Sequence, residues 1–359
     1  ENAQASGGLI GRISGGENAL VKQLDFTASR MEMETNGGAA GGVVGVISGG
    51  QKAELEGVSL SANSLDVTGK TAAGGAVGTV SAGELSLNKI NILTTKENKQ
   101  DYGEAGQETI ETEKPYGIRI TAENGTAGGL LGTASSAVTK LTITEAAVSG
   151  SGTADQVKAG SSAGGLIGDT KASNTTITSS AASLYIRSEG NGGNVGGSSS
   201  TDGAGGLIGS ASGNVTITNS YSGGRTTNAP DPDEEKSDAS AKQARYLNAE
   251  EGQGRYNVYL ASGSGAAGGL LGRFGENGSL KIENSYSTSS VAVPYSSGST
   301  GAAAGGLVGD AGTTTLTANN TYCTGRVYAK GTQNGTSVGT ATGSTTGGTS
   351  GSTAGTSTP

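Results

Sequence analysis

The stretch AGGLIGSASGNVTITNSYS, residues 204–222, joins two glycines, two apolar residues and a glycine to an alternating segment that ends in Asn-Ser-Tyr-Ser. Closely similar stretches occur at 266–287 and 304–323. The motif Gly-Gly-apolar-apolar-Gly occurs eight times, and its second glycine is Gly8, Gly42, Gly75, Gly129, Gly165, Gly206, Gly269 and Gly306. Neighbouring copies lie 33 to 41 residues apart, except for two intervals of 54 and 63 residues. This spacing predicts a repeat protein in which each unit packs on the next.

Two short apolar segments follow each motif and alternate with a period of two, as in VTIT from Val215. Alternation between turns rich in Gly, Ser and Asn is typical of strands. No stretch has the apolar spacing of a helix. We therefore predict an all-β fold, a parallel β-solenoid of about eight coils over residues 1–329, with three short strands per coil and a right-handed winding. Glycine at each motif would let a narrow coil turn and adjacent backbones pack closely.

The stacking predicts which side chains lie inside. We expect Leu130, Leu166 (or Ile167) and Leu207 to lie in register. The expected buried residues of the last three repeats are Leu207, Ile208, Val215, Ile217, Leu270, Leu271, Leu280, Ile282, Leu307 and Leu316.

One polar position recurs in the last three repeats. Its asparagines and the tyrosines two residues later are Asn219, Asn284, Asn320, Tyr221, Tyr286 and Tyr322. Identical residues at one-coil spacing form ladders, in which amides hydrogen-bond and aromatic rings stack. We interpret these residues as structural ladders at a turn, and the alternative is a polar binding stripe.

Composition excludes several kinds of function. The net charge of −8 argues against nucleic acid as a partner, and no apolar run is long enough to insert into a membrane. With no histidine in the chain, Ser-His-Asp sites and His-ligated zinc sites are excluded within this sequence. The single cysteine, Cys323, takes the place of Ser222 and Ser287 and is interpreted as a small structural residue.

Strand-borne acids are scattered, and the one alignment between neighbouring coils that the spacing suggests is Glu34 with Asp66. A carboxylate-based glycosidase would need two acids within about 5–10 Å. We therefore predict no catalytic residue, no metal, no cofactor and no enzymatic activity in this segment.

Two insertions account for the long intervals, at about 94–116 and 223–255. They hold 13 of the 31 acidic residues. Insertions at one corner of a repeat protein often carry function, and the alternative is a pair of solvated loops. An acidic run at 231–235 lacks the glycine-centred spacing of calcium loops. The candidate binding residues are Tyr102, Tyr116, Asp233, Glu234 and Tyr246. The remaining segment, 330–359, is rich in Gly, Ser and Thr and is predicted to be a flexible linker.

The stretches AGGLVG and NSYS resemble the GLUG-motif repeat family, whose Gly-Leu-any-Gly core matches Gly206–Gly209 and Gly306–Gly309. The last three repeats match best, and the first three have aliphatic residues such as Leu24 where the family has Asn-Ser-Tyr. The resemblance implies a secreted or cell-surface protein of bacteria. Such repeats are found in adhesins and in non-catalytic parts of immunoglobulin-A-specific metallopeptidases.

We therefore expect a non-enzymatic, extracellular segment of a larger parent chain, an adhesin-type stalk that presents loops to a host or neighbouring-cell glycan or protein. The alternative is a spacer region of a secreted peptidase or glycan-degrading enzyme whose catalytic domain lies outside this sequence.

Overall fold

A computed structural model describes residues 4–94, 117–150, 155–190, 202–223, 257–261, 265–293, 302–312, 314–325, 327–329, 331–333 and 336–338. Within these ranges the chain forms strands and no helix, which confirms the all-β prediction.

The strands follow the eight copies of the motif in order. The first three repeats contain β1 (Ala5–Gly7), β2 (Ile10–Ser14), β3 (Asn18–Glu34), β4 (Ala39–Gly41), β5 (Val44–Ser48), β6 (Lys52–Gly69), β7 (Ala72–Gly74), β8 (Val77–Val80), β9 (Gly83–Thr94) and β10 (Gly117–Ala122). The fourth and fifth contain β11 (Thr126–Gly128), β12 (Leu131–Ala134), β13 (Val138–Thr144), β14 (Ala147–Ser149), β15 (Gln156–Ala159), β16 (Ala163–Gly164), β17 (Ile167–Thr170), β18 (Asn174–Thr178), β19 (Ala181–Ser183) and β20 (Tyr185–Ser188).

The last three repeats contain β21 (Gly203–Gly205), β22 (Ile208–Thr218), β23 (Tyr221–Ser222), β24 (Val258–Leu260), β25 (Gly265–Gly268), β26 (Leu271–Glu283), β27 (Tyr286–Ser287), β28 (Val291–Val293), β29 (Ala302–Gly305), β30 (Val308–Asp310), β31 (Thr315–Asn319), β32 (Tyr322–Cys323) and β33 (Val327–Ala329). Two further strands are β34 (Gly331–Gln333) and β35 (Thr336–Val338).

One sheet takes a single strand from every repeat, in the order β1-β4-β7-β11-β16-β21-β25-β29. All its pairings are parallel, and the first glycine of each motif lies in register with the first glycine of the next. The sequence order of the strands is therefore also their spatial order, as stacked repeats require.

The other strands of the eight repeats pair in the same way. The second apolar residue of the motif forms one column from Ile10 to Val308, again one residue per repeat and all parallel. The Leu130 N–H donates to the Leu166 carbonyl at 2.9 Å, and the Leu166 N–H donates to the Leu207 carbonyl at 2.8 Å. The predicted register of these three leucines is confirmed. The right-handed winding stays a prediction.

The stack has an apolar interior. Nine of the ten predicted core residues of the last three repeats are buried. The prediction was wrong for Leu316, which is only half-buried. Its repeat is the eighth, and among the described residues only the seventh repeat pairs with its strand. The first repeat shows the same effect, since Leu9 is 51% exposed although its counterparts in the following repeats are buried.

The number of strands per repeat varies from three to five, and the predicted three is found only in the first two repeats. Repeats four, five and eight each have five separate strands, and in the others adjacent strands join into longer ones such as β3 and β6. The three-residue strand that contains the first glycine and the short strand after the asparagine position were missed, because two or three residues show no measurable alternation.

The suggested alignment of Glu34 with Asp66 was wrong as well. Asp66 lies opposite Glu32, and Glu34 lies opposite Thr68. The buried carboxylate of Asp66 accepts a hydrogen bond from Nη2 of Arg119 at 2.6 Å. Asp66 is therefore ion-paired with Arg119 across the repeat boundary, which gives it a structural role although an acid, Glu32, lies opposite it in the preceding repeat.

Both insertions start and end at the same corner. The first lies between Thr94 at the end of β9 and Gly117 at the start of β10, and the second between Gly223 and Asn257, which flank β23 and β24. In each case the flanking strands correspond in position to the fourth and fifth strands of the five-strand repeats. We call this position the insertion corner. Residues 95–116 and 224–256 lie outside the described residues. In the segment predicted as a linker, β34 and β35 pair antiparallel, and residues 339–359 are not described.

A buried aspartate holds the base of the first insertion. Asp155 Oδ1 accepts hydrogen bonds from the Ile118 N–H at 2.8 Å and from Thr94 Oγ1 at 3.3 Å, and the residue is fully buried. Asp155→Ala would leave both donors without this acceptor, so we expect a loss of about 1–3 kcal/mol in unfolding free energy. Chemical denaturation measures it. Glu123→Ala, which removes an exposed ion pair with Lys70, is the control and should have little effect. Equal effects of the two variants would contradict the role of Asp155.

Candidate binding surface at the insertion corner

The chain turns at an equivalent residue in the left-handed region in every repeat, within the long strands β3, β6 and β9 of the first three repeats and between two strands in the other five. These residues have φ from 48° to 66° and form one column, Gln23, Gly57, Lys89, Glu145, Ser179, Asn219, Asn284 and Asn320. Asparagine is favoured in this conformation over most other residues. The asparagines identified in the sequence therefore stand at a turn that all eight repeats share.

A buried serine follows the turn in three consecutive repeats. The Ser180, Ser220 and Ser285 hydroxyls each donate to the carbonyl two residues earlier, at 2.7 to 2.8 Å. Each also accepts from the N–H of the equivalent residue in the preceding repeat at 3.1 Å. At the left-handed turn the backbone carbonyl of the next repeat is out of reach of these N–H groups. The serine hydroxyl takes its place as the acceptor, so that the buried N–H groups keep a hydrogen-bond partner.

Next to these serines the tyrosines form a stack on the outside. The ring centroids of Tyr221 and Tyr286 are 5.1 Å apart with 4° between the planes, and those of Tyr286 and Tyr322 are 4.8 Å apart with 1°. Tyr221 and Tyr322 are 42% and 40% exposed. Burial, and then the neighbouring tyrosines, raise the pKa of the middle ring, Tyr286. We call Tyr221, Tyr286 and Tyr322 the tyrosine stack.

The amides beside the stack are also in contact. Asn320 Nδ2 donates to Asn284 Oδ1 at 2.8 Å, and both side chains are exposed. Asn219 lies in the same column in the preceding repeat. The structure therefore brings together the six asparagines and tyrosines that the sequence singled out, in two adjacent columns.

On the other side of the insertion corner, the fifth strands carry a cationic and aromatic cluster. The Arg187 guanidinium lies 5.4 Å from the ring centroid of Tyr259 and donates from Nε to Glu189 Oε1 at 2.9 Å. Burial raises the pKa of Glu189, but the hydrogen bond and charge of Arg187 and the charge of Lys158 outweigh it, so that the pKa is lowered. Sequence patterns did not predict this cluster, because Lys158, Arg187 and Tyr259 lie in different repeats and share no motif.

The tyrosine stack adjoins the second insertion, since Tyr221 lies two residues before Gly223. The predicted binding residues Tyr102, Tyr116, Asp233, Glu234 and Tyr246 all lie outside the described residues. Their role stays a prediction, and only the positions where their insertions begin and end are defined.

The described part of the chain contains no group of three or more Cys, Asp or Glu side chains placed to hold a metal ion. Cys323 is buried, and a Cβ at Gly306 would lie 2.3 Å from its sulfur. The cysteine therefore fills space beneath the motif of the last repeat.

One half-buried acid is expected to make the stability of the fold depend on pH. Burial raises the pKa of Asp169 to about 6, with Lys171 opposing the shift and Asp202 adding to it. The folded state then binds a proton more tightly than the unfolded state, so this group lowers stability as pH rises from about 4 to 6. Asp169→Asn should remove this dependence and raise the unfolding free energy at neutral pH by about 1–2 kcal/mol.

Denaturation of both proteins at several pH values between about 4 and 7.5 measures this difference. Asp310→Asn is the matched control, because Asp310 lies in the same column three repeats later but pairs with Arg273 at 3.6 Å. Asp310→Asn should not raise the unfolding free energy at neutral pH. Parallel pH profiles of the wild type and Asp169→Asn would contradict the prediction.

Comparisons with known proteins leave the family open. No family model matches the chain, and no curated protein matches it. Among solved structures it is similar to a "putative immunoglobulin A1 protease" from Bacteroides ovatus, with a TM-score of 0.41 and 16% identity, over 82% of this chain and 67% of that one. This similarity is too low to assign a family. The resemblance to GLUG-motif repeats stays a prediction. Among the described residues there is no helix with the length and hydrophobicity needed to cross a bilayer.

Proposed function

We propose that this chain is a non-enzymatic β-solenoid segment of a secreted or cell-surface bacterial protein, an adhesin-type stalk that presents its insertion corner to a glycan or protein on a host or neighbouring cell. The observation that carries the proposal is the shared position of the two insertions and the tyrosine stack at one corner of a continuous stack of repeats.

The stalk follows from the pairing pattern. Every repeat is joined to the next by parallel backbone hydrogen bonds in two sheets, and an apolar interior runs through all eight. At about 4.8 Å per repeat, the stack is roughly 35–40 Å long. Ion pairs between neighbouring repeats, such as Lys22 with Glu56 at 2.9 Å, lie on its surface. Such a body transmits force along its axis and holds loops at a fixed distance from its ends.

The proposed binding role depends on the insertion corner. Long acidic insertions are concentrated there, and no other part of the repeat tolerates so much extra chain. Aromatic side chains that stay exposed beside such loops favour recognition of another molecule. A non-enzymatic role is supported by Asp66, because this buried acid is hydrogen-bonded to Arg119 of the next repeat and so has a structural role.

The test compares the full chain with a variant in which residues 95–116 and 224–256 are replaced by short Gly-Ser linkers. Both are applied to arrays of mucins and of host and bacterial-surface glycans. Removing residues 339–359 gives the matched control. We expect binding by the full chain and the control, and its loss in the loop-replaced variant, with similar melting temperatures. Equal binding by all three would contradict the role of the insertions, and no binding by any would favour a spacer region of a secreted peptidase or glycan-degrading enzyme.

A further inference from the structure

The tyrosine stack ends abruptly at Tyr221. In the strand pairing, Tyr221 lies opposite Ala181 of the preceding repeat, and Ala181 lies opposite Ala147 of the repeat before that. The column continues to Asn91. One face of the Tyr221 ring is covered by Tyr286, yet 42% of the residue is exposed. Its other face therefore points along the column, toward two repeats that have alanine at this position.

These residues outline a slot. Tyr221 forms one end wall, Ala181 and Ala147 form the floor, and Asn91 stands at the far end. At about 4.8 Å per repeat, the two alanines leave room for one or two ring-sized layers parallel to Tyr221. The spacing of 5.1 Å between Tyr221 and Tyr286 shows that a flat ring fits one repeat.

The sides of the slot are polar. The turn column contributes Glu145 and Ser179, which are both exposed, and Ser149 and Ser183 lie two residues beyond the alanines. Glu145 forms no ion pair with any residue that the structure describes. An apolar floor with an aromatic wall and a few polar groups at the rim has the composition of a small-ligand site.

The geometry points to a ring-binding slot beside Tyr221 that takes an uncharged pyranose of a glycan. A pyranose has an apolar C–H face for the tyrosine ring and hydroxyl groups around its rim for Glu145 and the serines. An aromatic peptide side chain would fit the wall but has no hydroxyl groups around its ring to hydrogen-bond with these rim groups. The Glu145 carboxylate, on a chain of net charge −8, disfavours sialylated or uronic acid rings. The inference rests on the proposed binding function and names its ligand class and one contact surface.

The decisive variant is Ala181→Tyr, which would extend the stack by a fourth ring and fill the slot. The probes are soluble neutral oligosaccharides of glucose, galactose and N-acetylglucosamine, with a sialylated oligosaccharide as the anionic comparison. Saturation-transfer NMR and calorimetric titration measure their binding to the full chain. We expect at least about a tenfold loss of affinity for the neutral probe that binds best, with no loss of thermal stability.

Two controls separate the slot from general effects of substitution. Thr176→Tyr adds an aromatic ring to the same repeat on the third strand, outside the slot, and should bind as the wild type does. Tyr221→Leu should lose binding, whereas Tyr322→Leu, at the other end of the stack, should keep it. Affinity within about twofold of wild type for Ala181→Tyr, or no binding of any neutral probe at about 10 mM, would overturn the proposal.

The result is also distinguishable from failure of the proposed function. If Ala181→Tyr has no effect but replacement of the insertions abolishes binding, the slot is wrong and the loops are the binding elements. If Ala181→Tyr abolishes binding and replacement of the insertions does not, the slot stands and the role of the loops is wrong.

Discussion

Gly206→Ala should destabilise the protein by about 3 kcal/mol or more, because the repeats have no space for a side chain at this position. A Cβ on Gly206 would lie 1.9 Å from the carbonyl oxygen of Gly269 in the next repeat and 2.4 Å from the Ser222 hydroxyl. Relief would require adjacent backbones to separate, which breaks the hydrogen bonds between the sixth and seventh repeats. The expected fall in melting temperature is about 5–10 °C.

Thermal unfolding followed by circular dichroism measures the change, and hydrogen exchange locates it. Because stacked repeats unfold semi-independently, protection should be lost first in the sixth and seventh repeats. Gly11→Ala is the matched control, since the nearest atom to its Cβ would be 3.8 Å away and its backbone is not in the left-handed region. If both variants have the melting temperature of the wild type, the motif glycines are not closely packed against the next repeat.

Leu270→Asp should cost about 5 kcal/mol or more, an even larger effect than that of the glycine substitution. Leu270 is fully buried between equivalent leucines, and its N–H donates to the Leu307 carbonyl at 2.8 Å. The substitution removes the packing of the leucine and places a carboxyl group in the apolar interior of the stack. The interior would open locally or the carboxyl would take up a proton.

Leu20→Asp is the control for this change, because Leu20 is 57% exposed in the first repeat. It should melt within about 2 °C of the wild type. Denaturant titration of both variants gives the difference in unfolding free energy. A Leu270→Asp protein as stable as Leu20→Asp would show that the motif leucines do not form the interior.

Much of the fold follows from the sequence because a single motif determines both backbone packing and the buried residues. The two glycines and two apolar residues of each copy predict both the close approach of backbones and the buried column, and Leu130, Leu166 and Leu207 lie in register as expected. Alternation in segments such as VTIT predicts the longer strands correctly. These features depend on local spacing, which the sequence displays directly.

Other features depend on contacts between repeats and leave little trace in the sequence. The left-handed turn is occupied by Gln23, Lys89 and Glu145 as well as by asparagine, so residue type alone does not mark it. The pairing of Asp66 with Arg119 spans the first insertion, and no local spacing indicates it. The slot beside Tyr221 exists because the two alanines of its floor have no side-chain atoms beyond Cβ. Such a gap has no recognisable sequence motif.

Distances between spin labels show whether the eight repeats stack in register. In a Cys323→Ser background, one label replaces Leu20, and the second replaces Thr176, Thr216, Lys281 or Thr317 of the same outward column. The labelled repeats are four to seven steps apart along the stack. Pulsed electron paramagnetic resonance should therefore give distances that rise steadily from about 19 to about 34 Å, by about 4.8 Å per step. Distances that fail to increase along this series would contradict the stack.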